Sequence, residues 1–481
     1  MARTLTPVLA VMAGAALLSF RPIYEPDLWW HLAQGREAAA GRLVRANVFS
    51  FNYPEYRQHY TPWLFDLTGY LAFDTFGGVG VQGLQAFWLA LALLLLYAAC
   101  RARAPAWSAA AVLVVGVFIL EPRAIPRPHL VSFAGMAACA LLVERAARAR
   151  SAVPLVWAVP LVALWSNLHV ECVFGVLLVG IFAVGELVQP GALSRREAAR
   201  AVLVAALCVV ATLANPYGWG LHGYLYENLS VPRLLAIAEL GPPYLPDYRA
   251  FWAYLVAAGL LMAWQPRGVR LWEAVAVLTF AALGARYLRL TPLVLLATAP
   301  MLAARLPALA ARGIDRRAVV ITAACIGVAL SRIPVRLLAT EIAAGTAAVA
   351  PRQFFSPDAI AFIAREGLHG PVFNSTNLGG YLAWSLYPRV RVFQDSRLQA
   401  YPPEHFRSIL LASRDQHDWD ALVAGVDWAV LSVPRPNQLS GHGRFPVEEW
   451  ETVFRDEAIE VVLRRQLQNI QKVRELAGDQ D

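Results

Sequence analysis

The sequence is poor in charged side chains and contains almost no lysine. Charged residues make up 16% of its 481 residues and hydrophobic residues 58%, whereas a soluble domain carries about 25% charged residues. Lys472 is the only lysine, so the formal net charge of +8 comes almost wholly from arginine. This composition excludes a disordered chain, a fibrous repeat and a conventional cytosolic enzyme.

Cysteine is also scarce, and its positions exclude two kinds of site. All five cysteines lie in or beside apolar segments, and no two form a CxxC pair. The sequence therefore predicts neither a zinc site nor a disulfide framework. We expect structural thiols in packed or lipid-facing helices. They are Cys100, Cys139, Cys172, Cys208 and Cys325.

Long apolar runs separated by arginine-rich breaks dominate the sequence instead. A membrane-spanning helix needs about 20 mostly apolar residues. Segments close to that length predict a transmembrane helical bundle of about 11 spans. They are Leu5–Phe20, Gly80–Cys100, Pro105–Glu121, Leu130–Val143, Ala152–Leu168, Cys172–Val188, Ala198–Ala214, Ala250–Trp264, Leu271–Ala285, Leu290–Ala304 and Ala318–Arg332.

The arginines orient these spans. If the N-terminus lies inside, alternate breaks hold fifteen arginines against three acids. Because cytoplasmic loops are enriched in arginine and lysine, this distribution predicts a multi-pass protein of the plasma (inner) membrane with a cytoplasmic N-terminus. An odd number of spans then leaves the C-terminal portion extracytoplasmic.

The chain changes character after about residue 333. Short strand-like runs alternate there with helical stretches. This pattern predicts a mainly α fold with a transmembrane domain over 1–333 and a small soluble, extracytoplasmic α/β domain over 334–481. The strand-like runs are Val372–Asn374, Val390–Phe393, Trp428–Val433 and Ile459–Arg464.

The first outer loop, residues 21–79, is long and partly apolar. Leu28, Trp29 and Leu32 recur at helical spacing, and a second such series begins at Trp63. We predict two amphipathic helices in the membrane interface, with their tryptophans at headgroup level. These helices either only anchor the protein or cover a cavity between the spans.

The unusual polar residues of the membrane domain gather on one side. Ionisable groups at membrane depth are expensive, so their placement carries information. Here they lie in breaks that the arginine distribution independently predicts to face outside. The candidate site residues are Glu25, Asp27, His31, His59, Arg123, Arg127, His129, Asn167, His169, Glu171, Arg286 and Arg289.

Two carboxylates follow the first span directly, in Glu25-Pro26-Asp27. Proline is expected to keep this segment extended and to present Asp27 at the membrane surface. An aspartate placed there could act as general base on an attacking hydroxyl. The competing interpretation is a solvated turn.

Four arginines occupy the outer breaks, where membrane orientation alone does not favour them. A guanidinium group binds phosphate through a bidentate fork, so these residues are candidates for holding a donor phosphate. Contact with lipid headgroups is the alternative. The four are Arg123, Arg127, Arg286 and Arg289.

Three hydrogen-bonding residues occupy alternate positions in the short connection 167–171. In an extended turn such side chains point the same way. A metal ion would require a third ligand besides His169 and Glu171; no cofactor is expected, and a divalent metal is left open. The candidates for substrate binding are His31, His129, Asn167, His169 and Glu171.

A glycine-rich stretch from Asn374 to Tyr381 follows a predicted strand and opens a predicted helix. Its spacing matches neither a P-loop nor a dinucleotide fingerprint. We therefore expect a structural role rather than nucleotide binding. Asp395 and Arg397 end the next predicted strand and are expected to pair with each other.

These residues give the sequence a resemblance to the glycosyltransferase-C superfamily of membrane proteins. A first span followed by an acidic outer loop, here Glu25-Pro26-Asp27, resembles that superfamily. The segment His59 to Leu64 is similar to the His/Lys-Pro-Pro-Leu stretch of protein O-mannosyltransferase-like and aminoarabinose-transferase-like members, although one of the two prolines is missing. Uncharacterised bacterial members are similar in further runs. These are Asp27–Gly35, Arg127–His129, Trp165–His169, Asn215–Gly218 and Gly379–Leu382.

The resemblance implies a transferase that takes a sugar from a polyprenyl-phosphate donor and passes it to a glycan, lipid or protein acceptor. Asp27 would match the first-loop catalytic aspartate, Glu25 its acidic neighbour and His59 the position before the Pro-Leu stretch. Such an enzyme would work in cell-envelope polysaccharide biosynthesis and would bind no nucleic acid.

Two other functions stay open. A transporter or flippase of a lipid-linked glycan would carry polar residues near mid-membrane and repeated halves, whereas here the polar residues cluster at one face. A catalytically inactive scaffold could bind a partner through its C-terminal domain. Only the presence of Glu25 and Asp27 argues against that scaffold.

Overall fold

The structure is a computed structural model. It describes residues 23–230, 238–244, 246–307, 354–433 and 445–465, with the single residues Ser19 and Arg317. The predicted first and last spans, Leu5–Phe20 and Ala318–Arg332, lie almost wholly outside the described residues, as does Cys325.

The chain divides into two compact units. The helical unit holds the described residues of Val79–His222 and Ala236–Thr346. The mixed unit holds those of Pro22–Gly78, Gly223–Leu235 and Ala347–Asp481. Residues of the first outer loop therefore group with those of the C-terminal part. The predicted domain boundary at residue 333 lies outside the described residues and stays a prediction.

Helices make up most of the described chain. In chain order the α-helices are α1 Asp27–Ala39, α2 Trp63–Arg101, α3 Ala106–Leu120, α4 His129–Ala149, α5 Ala158–Trp165, α6 Cys172–Val188, α7 Arg195–Ala211, α8 Gly220–Ser230, α9 Arg249–Trp264, α10 Leu271–Arg286, α11 Thr291–Ala303, α12 Pro357–Arg365, α13 Thr376–Leu386, α14 Pro403–Ala412 and α15 Gln416–Leu422. Short 3-10 helices lie at Glu121–Arg123, Val153–Trp157, Ala238–Leu240, Pro266–Gly268, Leu288–Leu290 and Leu398–Ala400.

The nine predicted spans from Gly80–Cys100 to Leu290–Ala304 all fall on helices. Among the described residues, three helices are long and apolar enough to cross a membrane, at Trp63–Arg101, Ala106–Arg123 and His129–Ala149, and four apolar helices are shorter. A total of eleven spans stays a prediction. Helix α2 also runs back into the first outer loop, with a kink at Gly77, whose φ of 59° suits glycine.

The helical unit has a tightly packed interior and an apolar exterior. A Cβ atom at Gly135 would lie 2.5 Å from Trp165, and one at Gly185 would lie 2.5 Å from Trp272, so these glycines permit close helix contacts. Leu203, Leu260 and Leu278 are 61%, 66% and 70% exposed. Such an apolar outer face fits contact with lipid rather than water.

The mixed unit contains a five-stranded sheet in the order β2-β1-β3-β5-β4. The strands are β1 Gly370–Asn374, β2 Val390–Val392, β3 Trp428–Ser432, β4 Trp450–Arg455 and β5 Ile459–Arg464. Strand β1 pairs in parallel with β2 and β3, whereas β5 is antiparallel to β3 and β4. All four predicted strands are present, and β4 is an addition.

Residues of the first outer loop pack directly on the sheet domain. Arg36 donates a 2.9 Å hydrogen bond to the carbonyl of Trp384 in α13, and Ser50 forms a bridge with Val392 of β2. Trp29 is 4% exposed and packs edge-on against Tyr381, with ring centroids 5.0 Å apart. The Trp29 ring therefore fills an aromatic core, and its position at headgroup level stays a prediction.

Candidate functional site

The first polar cluster, the aspartate cluster, lies in the mixed unit around Asp27, Glu25 and His31. Helix α1 begins at Asp27, and Pro26 already has helical angles, φ −62° and ψ −30°. The predicted extended segment is thus wrong at this point, since the fixed φ of proline also suits a helix start. Asp27 is half-buried in the first turn, where the helix dipole favours a negative charge.

Two groups hold Asp27 from either side. Its backbone N–H donates to Glu25 Oε1 at 3.2 Å, and Glu25 itself is buried. The hydroxyl of Ser396, in the loop after β2, donates to Asp27 Oδ1. The carboxylate is therefore partly accessible and held by a hydrogen-bond donor.

His31 lies one helical turn beyond Asp27 and contacts a second aspartate. Its Nδ1 is 2.6 Å from Asp66 Oδ1, and both residues are buried. Gly35 makes this crossing of α1 and α2 possible, because a Cβ atom there would lie 2.1 Å from the Asp66 carbonyl oxygen. His31 is thus built into a buried pair, and substrate binding by it stays a prediction.

His59 lies elsewhere in the mixed unit. Its Nε2 is 3.2 Å from Glu227 Oε1, and the two side chains are 36% and 27% exposed. Burial raises the pKa of Glu227, and the nearby His59 opposes that rise. The pair is accessible, and a catalytic role for His59 stays a prediction.

The second cluster, the arginine cluster, lies in the helical unit. Arg123 donates to Glu239 Oε1 at 2.8 Å, and Arg127 donates to the same carboxylate at 3.1 and 3.3 Å. Burial alone would raise the pKa of Glu239, but Arg127 and Arg123 outweigh burial and lower it to about 2. His129 donates from Nε2 to the Arg123 carbonyl at 2.7 Å, which fixes the arginine backbone.

Arg289 extends the cluster to the connection 167–171. It donates to Glu171 Oε1 at 3.4 Å, and His169 Nδ1 lies 3.5 Å from the other oxygen of Glu171. Burial would raise the pKa of Glu171, but His169 and Arg289 lower it to about 2. His169 Nδ1 also hydrogen-bonds Ser132 Oγ at 2.6 Å, which orients the imidazole ring.

Two of the predicted residues contact backbone carbonyls instead of the carboxylates of this cluster, and their roles stay predictions. The chain at 167–171 forms turns instead of the predicted extended segment. Asn167 therefore bonds the carbonyls of Ala163 and Ala214, at 2.8 and 2.7 Å. Arg286 is exposed, contacts the Leu240 carbonyl at 3.4 Å and stacks on the adjacent Tyr287 ring.

Within the described ranges, no group of three or more His, Cys, Asp or Glu side chains could hold a metal ion. His169 and Glu171 are thus a pair without a third ligand of these types in that part of the chain. A requirement for a divalent metal stays a prediction.

The comparison with solved structures identifies the fold. AglB, an archaeal oligosaccharyltransferase from Archaeoglobus fulgidus in complex with an inhibitory peptide and a dolichol-phosphate, matches with a TM-score of 0.59 and 13% identity, over 89% of this chain and 69% of that chain. ArnT from Cupriavidus metallidurans, bound to undecaprenyl phosphate, matches with a TM-score of 0.53 and 16% identity, over 95% and 97%. The chain has the glycosyltransferase-C fold.

At these identities the likeness shows the fold and not the activity. It confirms the resemblance that the sequence predicted. No protein-family model matches the sequence, and no curated protein matches it either.

Five partners of the predicted residues in this glycosyltransferase-C fold were not predicted: Ser132 beside His169, Glu227 beside His59, and three others. Asp66 pairs with His31, Glu239 with two arginines, and Ser396 with Asp27. Asp66 carries a sequence signal, as an acid within an apolar helical series. Glu239 and Ser396 carry none, because their partners are more than a hundred residues away in the chain.

Proposed function

We propose that this protein is a membrane glycosyltransferase that moves a sugar from a polyprenyl-phosphate donor to an acceptor hydroxyl at the extracytoplasmic face. The observation that carries the proposal is the half-buried Asp27 carboxylate, held at a helix start in a glycosyltransferase-C fold. The proposal includes eleven spans, a cytoplasmic N-terminus and an extracytoplasmic C-terminal domain.

Asp27 acts as the general base in this proposal. It takes the proton of the acceptor hydroxyl while that oxygen attacks the anomeric carbon of the sugar. The bond between that carbon and the phosphate oxygen breaks at the same time, and the electron pair leaves with the polyprenyl phosphate. Attack opposite the leaving group inverts the configuration of the sugar.

The arginine cluster provides the donor phosphate site. Arg123 and Arg127 are directed at one carboxylate, which occupies the position that a phosphate would take. The positive charge of Arg289 lowers the pKa of both Glu171 and Glu239. As the bond to the sugar breaks, negative charge grows on the leaving phosphate, and fixed guanidinium groups stabilise that charge. Arg286, which contacts the carbonyl of Leu240 next to Glu239, is the fourth candidate for this phosphate.

The test is release of free polyprenyl phosphate from a panel of polyprenyl-phosphate sugars by purified protein. Asp27→Asn keeps the shape of the side chain and removes its charge, so turnover should fall by roughly 10²-fold or more. Asp74→Asn is the matched control, because Asp74 is an exposed aspartate of the same loop whose carboxylate accepts a long, 3.4 Å bond from Tyr70.

The outcomes of this test distinguish the role of Asp27 from the transferase activity itself. Turnover that Asp27→Asn leaves unchanged would keep the transferase and discard this base. If no donor is consumed with any acceptor tried, the inactive scaffold or the lipid-linked glycan transporter takes the place of the transferase.

A further inference from the structure

The loop after β2 supplies a hydroxyl to the candidate base, and the proposed function above gives this contact no role. Resting on the proposed function, we infer that Ser396 is a positioning residue that fixes the orientation of the Asp27 carboxylate. The two residues are 369 positions apart in the chain, and Ser396 Oγ donates to Asp27 Oδ1.

Ser396 lies between two buried residues, Asp395 and Arg397, that form an ion pair with each other. Arg397 makes a two-pronged ion pair with Asp395, at 3.0 and 2.6 Å, and also donates to Asn47 at 2.8 Å. Tyr401 donates to the second oxygen of Asp395 at 3.2 Å. Because Asp395 and Arg397 are both buried, the backbone on either side of Ser396 is fixed.

The chain before Ser396 is held as well. The side chain of Asn374, at the end of β1, donates to the Gln394 carbonyl at 2.7 Å and accepts from the Phe393 N–H at 2.9 Å. Asn374 is completely buried. The hydroxyl is therefore pre-positioned by the sheet, as a residue that orients a catalytic group should be.

Helix α13 fixes both partners of the hydrogen bond through two adjacent glycines. A Cβ atom at Gly379 would lie 2.0 Å from the Gln394 carbonyl oxygen, in the loop that carries Ser396. One at Gly380 would lie 3.2 Å from the Pro26 carbonyl oxygen, directly before Asp27. The glycine-rich stretch thus brings the two segments close to one helix, which is a structural role for this motif.

The consequence for catalysis is orientation. An aspartate side chain rotates about two bonds, and a base must direct an oxygen at the proton it removes. A donor fixed to Oδ1 holds the carboxylate plane. Loss of one hydrogen bond to a charged group should lower kcat about tenfold. Since Ser396 acts through Asp27, it should have no effect once the Asp27 charge is gone.

The test compares Ser396→Ala and Ser396→Thr in the full-length protein. The alanine variant should lose about tenfold in kcat with an unchanged donor KM, and threonine should restore most of it by returning the hydroxyl. Ser408→Ala is the matched control, because Ser408 is exposed in α14 of the same unit and donates to the Glu404 carbonyl of its own helix. In the Asp27→Asn background, Ser396→Ala should cause no further loss.

A second readout does not require turnover. Labelling of Asp27 by a water-soluble carbodiimide, quantified by peptide mass spectrometry, should be faster in Ser396→Ala than in wild type or in Ser396→Thr. If wild type turns over no donor but labelling follows this order, the proposed function fails and the positioning contact stands. Equal labelling in all variants, or an equal further loss in the Asp27→Asn background, would refute the inference.

Discussion

Glu239 should oppose donor binding, and removing its charge should therefore strengthen that binding. A phosphate that binds Arg123 and Arg127 has to displace the carboxylate that now lies 2.8 to 3.3 Å from them. Because the pKa of Glu239 is about 2, this carboxylate is ionised at every working pH. Glu239→Gln keeps the size of the side chain and removes the charge.

The magnitude follows from the geometry of the cluster. Two unit charges 4 Å apart interact by about 4 kcal/mol at an effective dielectric constant near 20. The Glu239 side chain is 33% exposed, so solvent screens a good part of this energy. We expect about 1.4 kcal/mol to remain, which corresponds to a tenfold gain in affinity for a polyprenyl phosphate.

The assay is equilibrium binding of a short-chain polyprenyl phosphate to the purified protein in detergent. Arg127→Gln should weaken binding more than Arg286→Gln, because Arg286 is exposed and contacts a carbonyl and a ring rather than a carboxylate. Glu197→Gln controls for a lost Arg–Glu pair, since Glu197 bonds Arg200 in a break predicted to face the cytoplasm.

The gain should grow between pH 5 and pH 8, because the phosphate monoester takes its second negative charge near pH 6 while Glu239 does not titrate in that range. Unchanged or weaker binding in Glu239→Gln would contradict the reasoning. Glu239 would then be the group that organises the arginines, and the cluster would be an internal ion-pair network rather than a phosphate site.

Two further predictions concern the mixed unit. Gly380→Ala should cost about 1–3 kcal/mol of stability, or lower kcat if the strain moves Asp27, because its Cβ would lie 3.1 Å from the Trp30 nitrogen and 3.2 Å from the Pro26 carbonyl. The control is Gly425→Ala, which has open space around it and should be neutral in the same melting and turnover assays. Equal behaviour of the two variants would refute the close approach at Gly380. Burial lowers the pKa of His405 to about 4, so the folded chain keeps it neutral while the unfolded chain binds a proton below about pH 6.5. The melting temperature should therefore stay constant above about pH 6.5 and decrease between pH 6.5 and 4. His405→Phe should make this decrease smaller. If the variant shows the same pH profile as wild type, protonation of His405 is not the cause.

The hydrophobic pattern predicted the helices of the membrane domain well. Cys172–Val188 has the predicted bounds, and Leu271–Arg286 differs by one residue. Long apolar runs leave little alternative to a helix, because a membrane offers the backbone no other hydrogen-bond partner. Strand β4 was not predicted, because its sequence has no clear alternation of apolar and polar residues. Of its residues only Trp450 is buried.

The contacts of the candidate sites were less predictable than their residues. Asp395 and Arg397 were expected to pair, since their spacing is local, and they do so at 2.6 Å. Ser396, between them, has no distinguishing pattern, and its partner depends on how β2 meets α1. The packing of β2 and its following loop against α1, and not the residue type, determines which hydroxyl contacts Asp27.

The arginine cluster carries a charge imbalance that bears on the chemistry. The three guanidinium groups of Arg123, Arg127 and Arg289 face two carboxylates, Glu171 and Glu239, which leaves one positive charge. A sugar-bearing polyprenyl phosphate is a diester with one negative charge, whereas the phosphate that leaves carries up to two. Once a bound phosphate has displaced Glu239, the three guanidinium groups face Glu171 alone, and the cluster presents two positive charges, which match the leaving phosphate better than the donor. Such a cluster would bind the transition state better than the donor, which is the condition for catalysis.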